Sequence, residues 1–155
     1  TYLEAAPASG LSSWTDAIYS WSGVTNSAIG TTSTSIGSGY KNTIVMINQS
    51  STASRAGTIS QAYRGPNNLT DWYLPSKDEL NQMCKWQRGV AWTSDATVCT
   101  GGTLNTGLGA EGFGNYAYWS SSEFDAGNAW NQSQGGSQSS LDKVNARLVR
   151  PVRAF

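Results

Sequence analysis

The chain has 155 residues, enough for one domain with a sizeable core. Ten Lys and Arg balance ten Asp and Glu, and only 13% of residues are charged, so no overall field draws it to nucleic acid or an anionic membrane. Seven Trp and seven Tyr supply aromatic area that disordered chains lack, which excludes an unfolded polymer.

In chain order, Tyr2-Leu3-Glu4-Ala5-Ala6 before Pro7 reads as a short opening strand. Residues 22–43 are dominated by Ser, Thr, Gly and Asn and read as a long surface loop or short hairpins. The longest apolar run, Thr43-Ile44-Val45-Met46-Ile47, is far too short to span a membrane. No basic-then-apolar leader precedes it, and the abrupt start at Thr1 reads as an excised carboxy-terminal domain. From Thr52 to Tyr63, the spacing of Ala53, Ala56, Ile59, Ala62 and Tyr63 predicts a helix ended by Gly65-Pro66. The strongest local signal follows. Ser76 and Glu79 form a capping box before Leu80, Met83, Cys84 and Gln87 on one helical face, and Gly89 stops the helix. After Gly89, the segments Tyr116–Ser122, Ala129–Ser133 and Arg147–Phe155 alternate as strands, with Pro151 at an edge or bulge. Two helices early and an antiparallel sheet late give an α+β class.

Cys84 and Cys99 are 15 positions apart with a turn-like stretch between them. The Ser/Gly/Thr/Asn-rich, Lys-poor composition is that of a secreted chain and favours a disulfide; two buried thiols are the alternative. The chain has no histidine. That removes His-activated nucleophiles, the usual neutral-pH base and most zinc sites, so neither catalysis nor a cofactor or metal is expected. Gly107-Leu108-Gly109 lacks the spacing of a dinucleotide fingerprint. Glu111, Glu123 and Asp125 are the carboxylates from which a glycosidase pair could be drawn, with turn solvation the ordinary reading of Glu123 and Asp125.

Four ordered motifs carry a resemblance: Asp71-Trp72-Tyr73-Leu74-Pro75-Ser76-Lys77-Asp78-Glu79-Leu80, Tyr118-Trp119-Ser120-Ser121-Ser122-Glu123, Ala129-Trp130, and Val149-Arg150-Pro151-Val152-Arg153-Ala154-Phe155. With the opening Tyr2-Leu3-Glu4-Ala5-Ala6-Pro7 and Lys41-Asn42-Thr43-Ile44, which also fit, the whole chain, 1–155, resembles the Lcl carboxy-terminal domain family of bacterial collagen-like surface proteins. The resemblance implies a C-type-lectin-like α+β domain with paired terminal strands, secreted or on the cell surface. It further implies a homotrimer behind a collagen-like stalk that binds sulfated polysaccharides such as host glycosaminoglycans. The calcium-binding signatures of true C-type lectins are absent, since Gly65-Pro66-Asn67 and Trp130-Asn131-Gln132 only echo them, so binding is expected to be calcium-independent.

A polyanionic ligand calls for Lys and Arg. Residues 143–155 hold Lys143, Arg147, Arg150 and Arg153 with no acid, and the helix after Ser76 carries Lys77, Lys85 and Arg88 near one stripe. Lys77, Lys85, Arg88, Lys143, Arg147 and Arg153 are therefore the candidate sulfate contacts; at least one of Arg150 and Arg153 is expected to pair with Glu4. Trp72, Trp119 and Trp130 read as core, and Trp86 and Trp92 as surface rings. Trp14 and Trp21 read either as a core pair or as part of an interface between subunits. The leading function is a non-enzymatic adhesin head. A trimerisation cap without ligand and a protein-receptor-binding domain are the alternatives.

Overall fold

The computed structural model describes residues 2–91, 98–104, 113–114 and 116–155. Trp92 and the turn-like stretch that follows it, Gly107-Leu108-Gly109 and Glu111 lie outside them. The described residues form an α+β fold of strands β1 (Leu3–Ala5) and β2 (Ile18–Ser20), helices α1 (Gly39–Gln49), α2 (Ala56–Ala62) and α3 (Lys77–Gln87), and strands β3 (Ala117–Glu123), β4 (Asn128–Ser133), β5 (Gln138–Asp142), β6 (Ala146–Leu148) and β7 (Val152–Ala154). The main sheet has the order β2-β6-β3-β4-β5, antiparallel except for the β3–β6 pair. The terminal strands make a separate ribbon, with Glu4 opposite Arg153, and Tyr73 bridges to Val152 at its other edge.

There are three helices among these elements, one more than expected. The extra one, α1, contains Thr43, Ile44, Val45 and Ile47, residues of low helix propensity. Tertiary bonding overrides that preference: Thr43 Oγ1 donates to Gly39 O (2.8 Å) and accepts from Leu74 N (3.0 Å), tying the helix to the strand-like segment before α3. Gly39 itself has no room for a side chain, since a Cβ there would overlap a Glu79 carboxylate oxygen. α2 begins four residues later than the spacing suggested, because Arg55 is still extended and its N–H donates to Thr58 Oγ1 (3.1 Å). The α3 start is as read: Ser76 Oγ accepts from Glu79 N (3.2 Å), and Ser76 N donates to Glu79 Oε2 (2.7 Å). The closing strand is two strands, β6 and β7, separated at Val149-Arg150-Pro151, where the chain leaves the main sheet for the terminal ribbon.

One core gathers Trp14, Trp21, Met46, Trp72, Leu74, Trp119 and Val149; a second, under α3, gathers Tyr73, Leu80, Met83, Phe113, Tyr118 and Val152. Indole N–H groups buried with their rings need acceptors. Trp14 donates to Val149 O (2.8 Å), Trp21 to Ser120 O (2.7 Å) and Trp119 to Tyr19 O (2.8 Å), so three tryptophans also tie together segments far apart in the chain. Trp14 and Trp21 are thus core residues. Cys84 and Cys99 are both fully buried and form a disulfide, with Cα atoms 6.2 Å apart. It fixes the segment after α3 against the helix.

Candidate functional site

The two sheet faces differ in how they are covered. Trp119, Ala129 and Leu141 face the larger core. Register puts Tyr118 opposite Gln132, Gln132 opposite Gln138, Trp130 opposite Ser140 and Asn128 opposite Asp142, so these residues share the other face. α3 covers only the Tyr118–Gln132–Gln138 end of it. The first residue of α3 is clamped there: Lys77 N donates to Ser122 Oγ (2.9 Å), and Lys77 O accepts from Gln138 Nε2 (3.1 Å). Beyond that turn no described element covers the face, and Trp130 and Ser140 lie there, partly exposed and exposed respectively.

Fixed at its backbone, Lys77 extends its side chain so that Nζ sits 4.4 Å from the Trp130 ring centroid. Phe124, 52% exposed, meets the same ring edge-on at 5.1 Å. The turn that carries Phe124 is held by Asp125. Its Oδ1 accepts from Gly127 N (2.8 Å), Asn128 N (2.8 Å) and Asn128 Nδ2 (2.9 Å). The Asn128 side chain first, and then the Gly127 N–H, hold this carboxyl below its ordinary range, so the turn is anionic. The result is a small platform of two aromatic rings and one ammonium, with Ser140 and Asp142 on the same sheet face.

Of the predicted contacts, only Lys77 belongs to this platform. Lys143 is a correction: it is 0% exposed, and its Nζ bonds Glu123 Oε1 (2.6 Å) and Ala126 O (2.8 Å) while lying 4.8 Å from the Trp21 ring centroid. Lys85 is a second correction, because at 1% exposure it faces inward from α3 and shares no surface stripe with Lys77. Arg88 spends its guanidinium on Gly101 O (2.8 Å) and Gln134 O (3.2 Å), bracing the segment after Cys99. Arg147 sits on β6, two strands from β4, and donates to its neighbour Ala146 O (2.9 Å). Arg153 pairs with Glu4 (3.4 Å) across the terminal ribbon, as anticipated, and lies 3.8 Å from Asp71. Arg150, which had been weighed as the other partner for Glu4, is buried and instead forks onto both Asp16 oxygens (2.7 and 2.8 Å). The six cations do not assemble into one patch.

Trp130 was read as core, and only Trp72 and Trp119 are buried in that way. The missed signal is the alternation Asn128-Ala129-Trp130, in which Ala129 takes the buried position and leaves Trp130 on the opposite face. Trp86 is exposed as expected, at 51%. It borders a groove of about 950 Å3 between the terminal ribbon and α3, whose walls include Leu3, Met83, Val152 and Phe155 and are mainly apolar. That lining suits an apolar partner better than a sugar, and Glu4, the one acid among its described residues, is paired with Arg153.

The two described glycosidase candidates are both engaged. Burial pushes the Glu123 carboxyl up, but the Gly30 N–H, Lys143 and the Ile29 N–H outweigh it and hold it below the ordinary range. A general acid needs the opposite shift. Among the described residues, no three His, Cys, Asp or Glu side chains converge on a point that could hold a metal ion. No family model matches the chain, and no curated protein matches it.

Proposed function

We propose that this is a non-enzymatic carbohydrate-binding domain that seats a sugar on the Trp130–Phe124 platform, with Lys77 meeting an acidic substituent. The supporting observation is the pairing of a partly exposed tryptophan face with a backbone-clamped lysine on the open half of a sheet face. Aromatic rings offer flat apolar area for the C–H face of a pyranose, and an ammonium over the ring is displaced at a cost of only about 0.5–1 kcal/mol. Lys77 can therefore swing from the ring to a sulfate or carboxylate as the sugar enters.

The setting is extracytoplasmic, supported by the disulfide. No helix among the described residues is long and apolar enough to cross a membrane. A bacterial cell-surface adhesin head recognising sulfated polysaccharides, trimeric and calcium-independent, is the fuller form of this proposal and follows from the Lcl-like motifs. A single cation per chain makes weak sites, which a trimer turns into useful avidity. The ionic share of binding is one contact, so rising salt weakens retention on sulfated glycans gently rather than abolishing it.

An array of sulfated and unsulfated glycans, probed with and without a calcium chelator, tests the proposal. Wild-type protein binds a subset and Trp130→Ala binds none. Equal binding by the Trp130→Ala variant would overturn it.

A further inference from the structure

We infer that the platform accepts a sparsely charged glycan and disfavours a densely sulfated one, because its two ends carry opposite charge. The inference rests on the carbohydrate reading of the platform and adds the class of sugar. Lys77 marks one end, its carbonyl held by Gln138. Four residues along β5 from Gln138 stands Asp142, on the same face and exposed. At the strand rise these backbone positions are about 13 Å apart, and the Lys77 ammonium reaches over Trp130, whose strand partner Ser140 is two residues, about 7 Å, from Asp142.

The far end is doubly acidic. Asp142 Oδ1 accepts from Val144 N (3.0 Å), which leaves Oδ2 without a hydrogen-bond partner among the described residues. A carboxylate oxygen so placed accepts from sugar hydroxyls. Asp125 on the adjoining turn has its acceptors filled by Gly127 and Asn128 but keeps its negative charge at the surface. The one cation next in sequence, Lys143, is turned inward and consumed by Glu123. A glycan with an acid group at the Lys77 end and free hydroxyls at the Asp142 end meets complementary partners along its length. A chain sulfated at every residue places an anion against Asp142 and Asp125. At about 7 Å in a water-like medium, each such apposition weakens binding about threefold.

The test uses dextran oligosaccharides of one length, unsulfated, sparsely sulfated and densely sulfated, titrated into wild-type protein and three variants at one ionic strength. Wild-type protein binds the sparse form best. Asp142→Asn keeps an oxygen for the Val144 N–H and removes the charge, so it raises affinity for the dense form about threefold relative to the sparse one. Lys77→Gln abolishes the difference between unsulfated and sparse forms. Affinity that climbs from sparse to dense in wild-type protein, or ratios unchanged by Asp142→Asn, would overturn the inference while leaving the platform standing, provided Trp130→Ala still loses binding. Retained binding by Trp130→Ala, or no binding of any form by wild-type protein, would overturn both.

Discussion

Replacing Lys143 with Met separates two roles for a residue that sequence alone makes a ligand contact. The side chains of Lys143 and Glu123 are 0% and 6% exposed. Removing one partner of a buried pair strands the other charge and costs about 3–5 kcal/mol, a large share of the roughly 5–15 kcal/mol that holds a domain together. Glu123 also receives the Ile29 N–H (2.9 Å) and Gly30 N–H (2.9 Å), so the loss extends to the long loop before α1. For a chain of this length the melting temperature should fall by about 10 °C. The penalty depends on pH with a defined sign. The Glu123 carboxyl lies below its ordinary value of 4.5, so its stabilising effect is complete above that value and is lost as pH falls through the folded-state pKa. The gap between wild type and Lys143→Met is therefore widest near neutrality and narrows in acid. Urea unfolding across this range measures it, and the double variant Lys143→Met/Glu123→Gln recovers part of the loss. A Lys143→Met variant of wild-type stability that fails to bind glycans would refute the structural role and restore Lys143 to the binding surface.

Three further outcomes follow from other parts of the fold. Changing Cys84 and Cys99 to Ser removes a 15-residue cross-link and costs roughly 3 kcal/mol, read as a lower urea midpoint that reductant reproduces in wild-type protein. Gly39→Ala forces a Cβ against the Glu79 carboxylate and to 2.6 Å from Tyr73 Cε2, and should destabilise by about 3 kcal/mol in thermal melts; an unchanged melt would contradict the close approach. Burial raises the Glu79 carboxyl above its ordinary value of 4.5 against the Ser76, Gly37 and Tyr73 hydrogen bonds that lower it. Its contribution is thus complete below the unfolded value and shrinks as pH rises through the folded one. Glu79→Gln should gain on wild type in urea midpoints as pH climbs from acid towards neutral, and a loss over that interval would reverse the assignment.

Legibility in the sequence followed how local each determinant is. The α3 start was readable because Ser76 and Glu79 bond each other within one turn. The terminal ribbon was expected from the resemblance, and the sequence left Arg150 and Arg153 both open as the partner of Glu4, which the register assigns to Arg153. α1 was not, since its β-branched stretch becomes helical only through contacts with the segment at Leu74, 31 residues away from Thr43. The same reasoning explains the cations. Charge blocks in sequence suggested a patch around Lys143, but Glu123, 20 positions earlier, turns that lysine inward. Lys77 was named with Lys85 and Arg88 as a helical stripe, and Trp130 was assigned to the core. Only the register of β4 with β5 and the clamp on the first residue of α3 bring the two together.

The terminal ribbon has a mechanical consequence. Tyr2 and Phe155 exchange both backbone bonds (2.9 and 3.1 Å) at the very end of the antiparallel β1–β7 pair, so the two strands are closed on each other at that end. Tension pulling those two ends apart loads the ladder one rung at a time, beginning with Tyr2–Phe155, and peels the ribbon like a zip. The five strands that carry Trp130 lie in a separate sheet and stay outside this line of force until the ribbon has opened. Under such a load the ribbon would open before the sheet that carries Trp130.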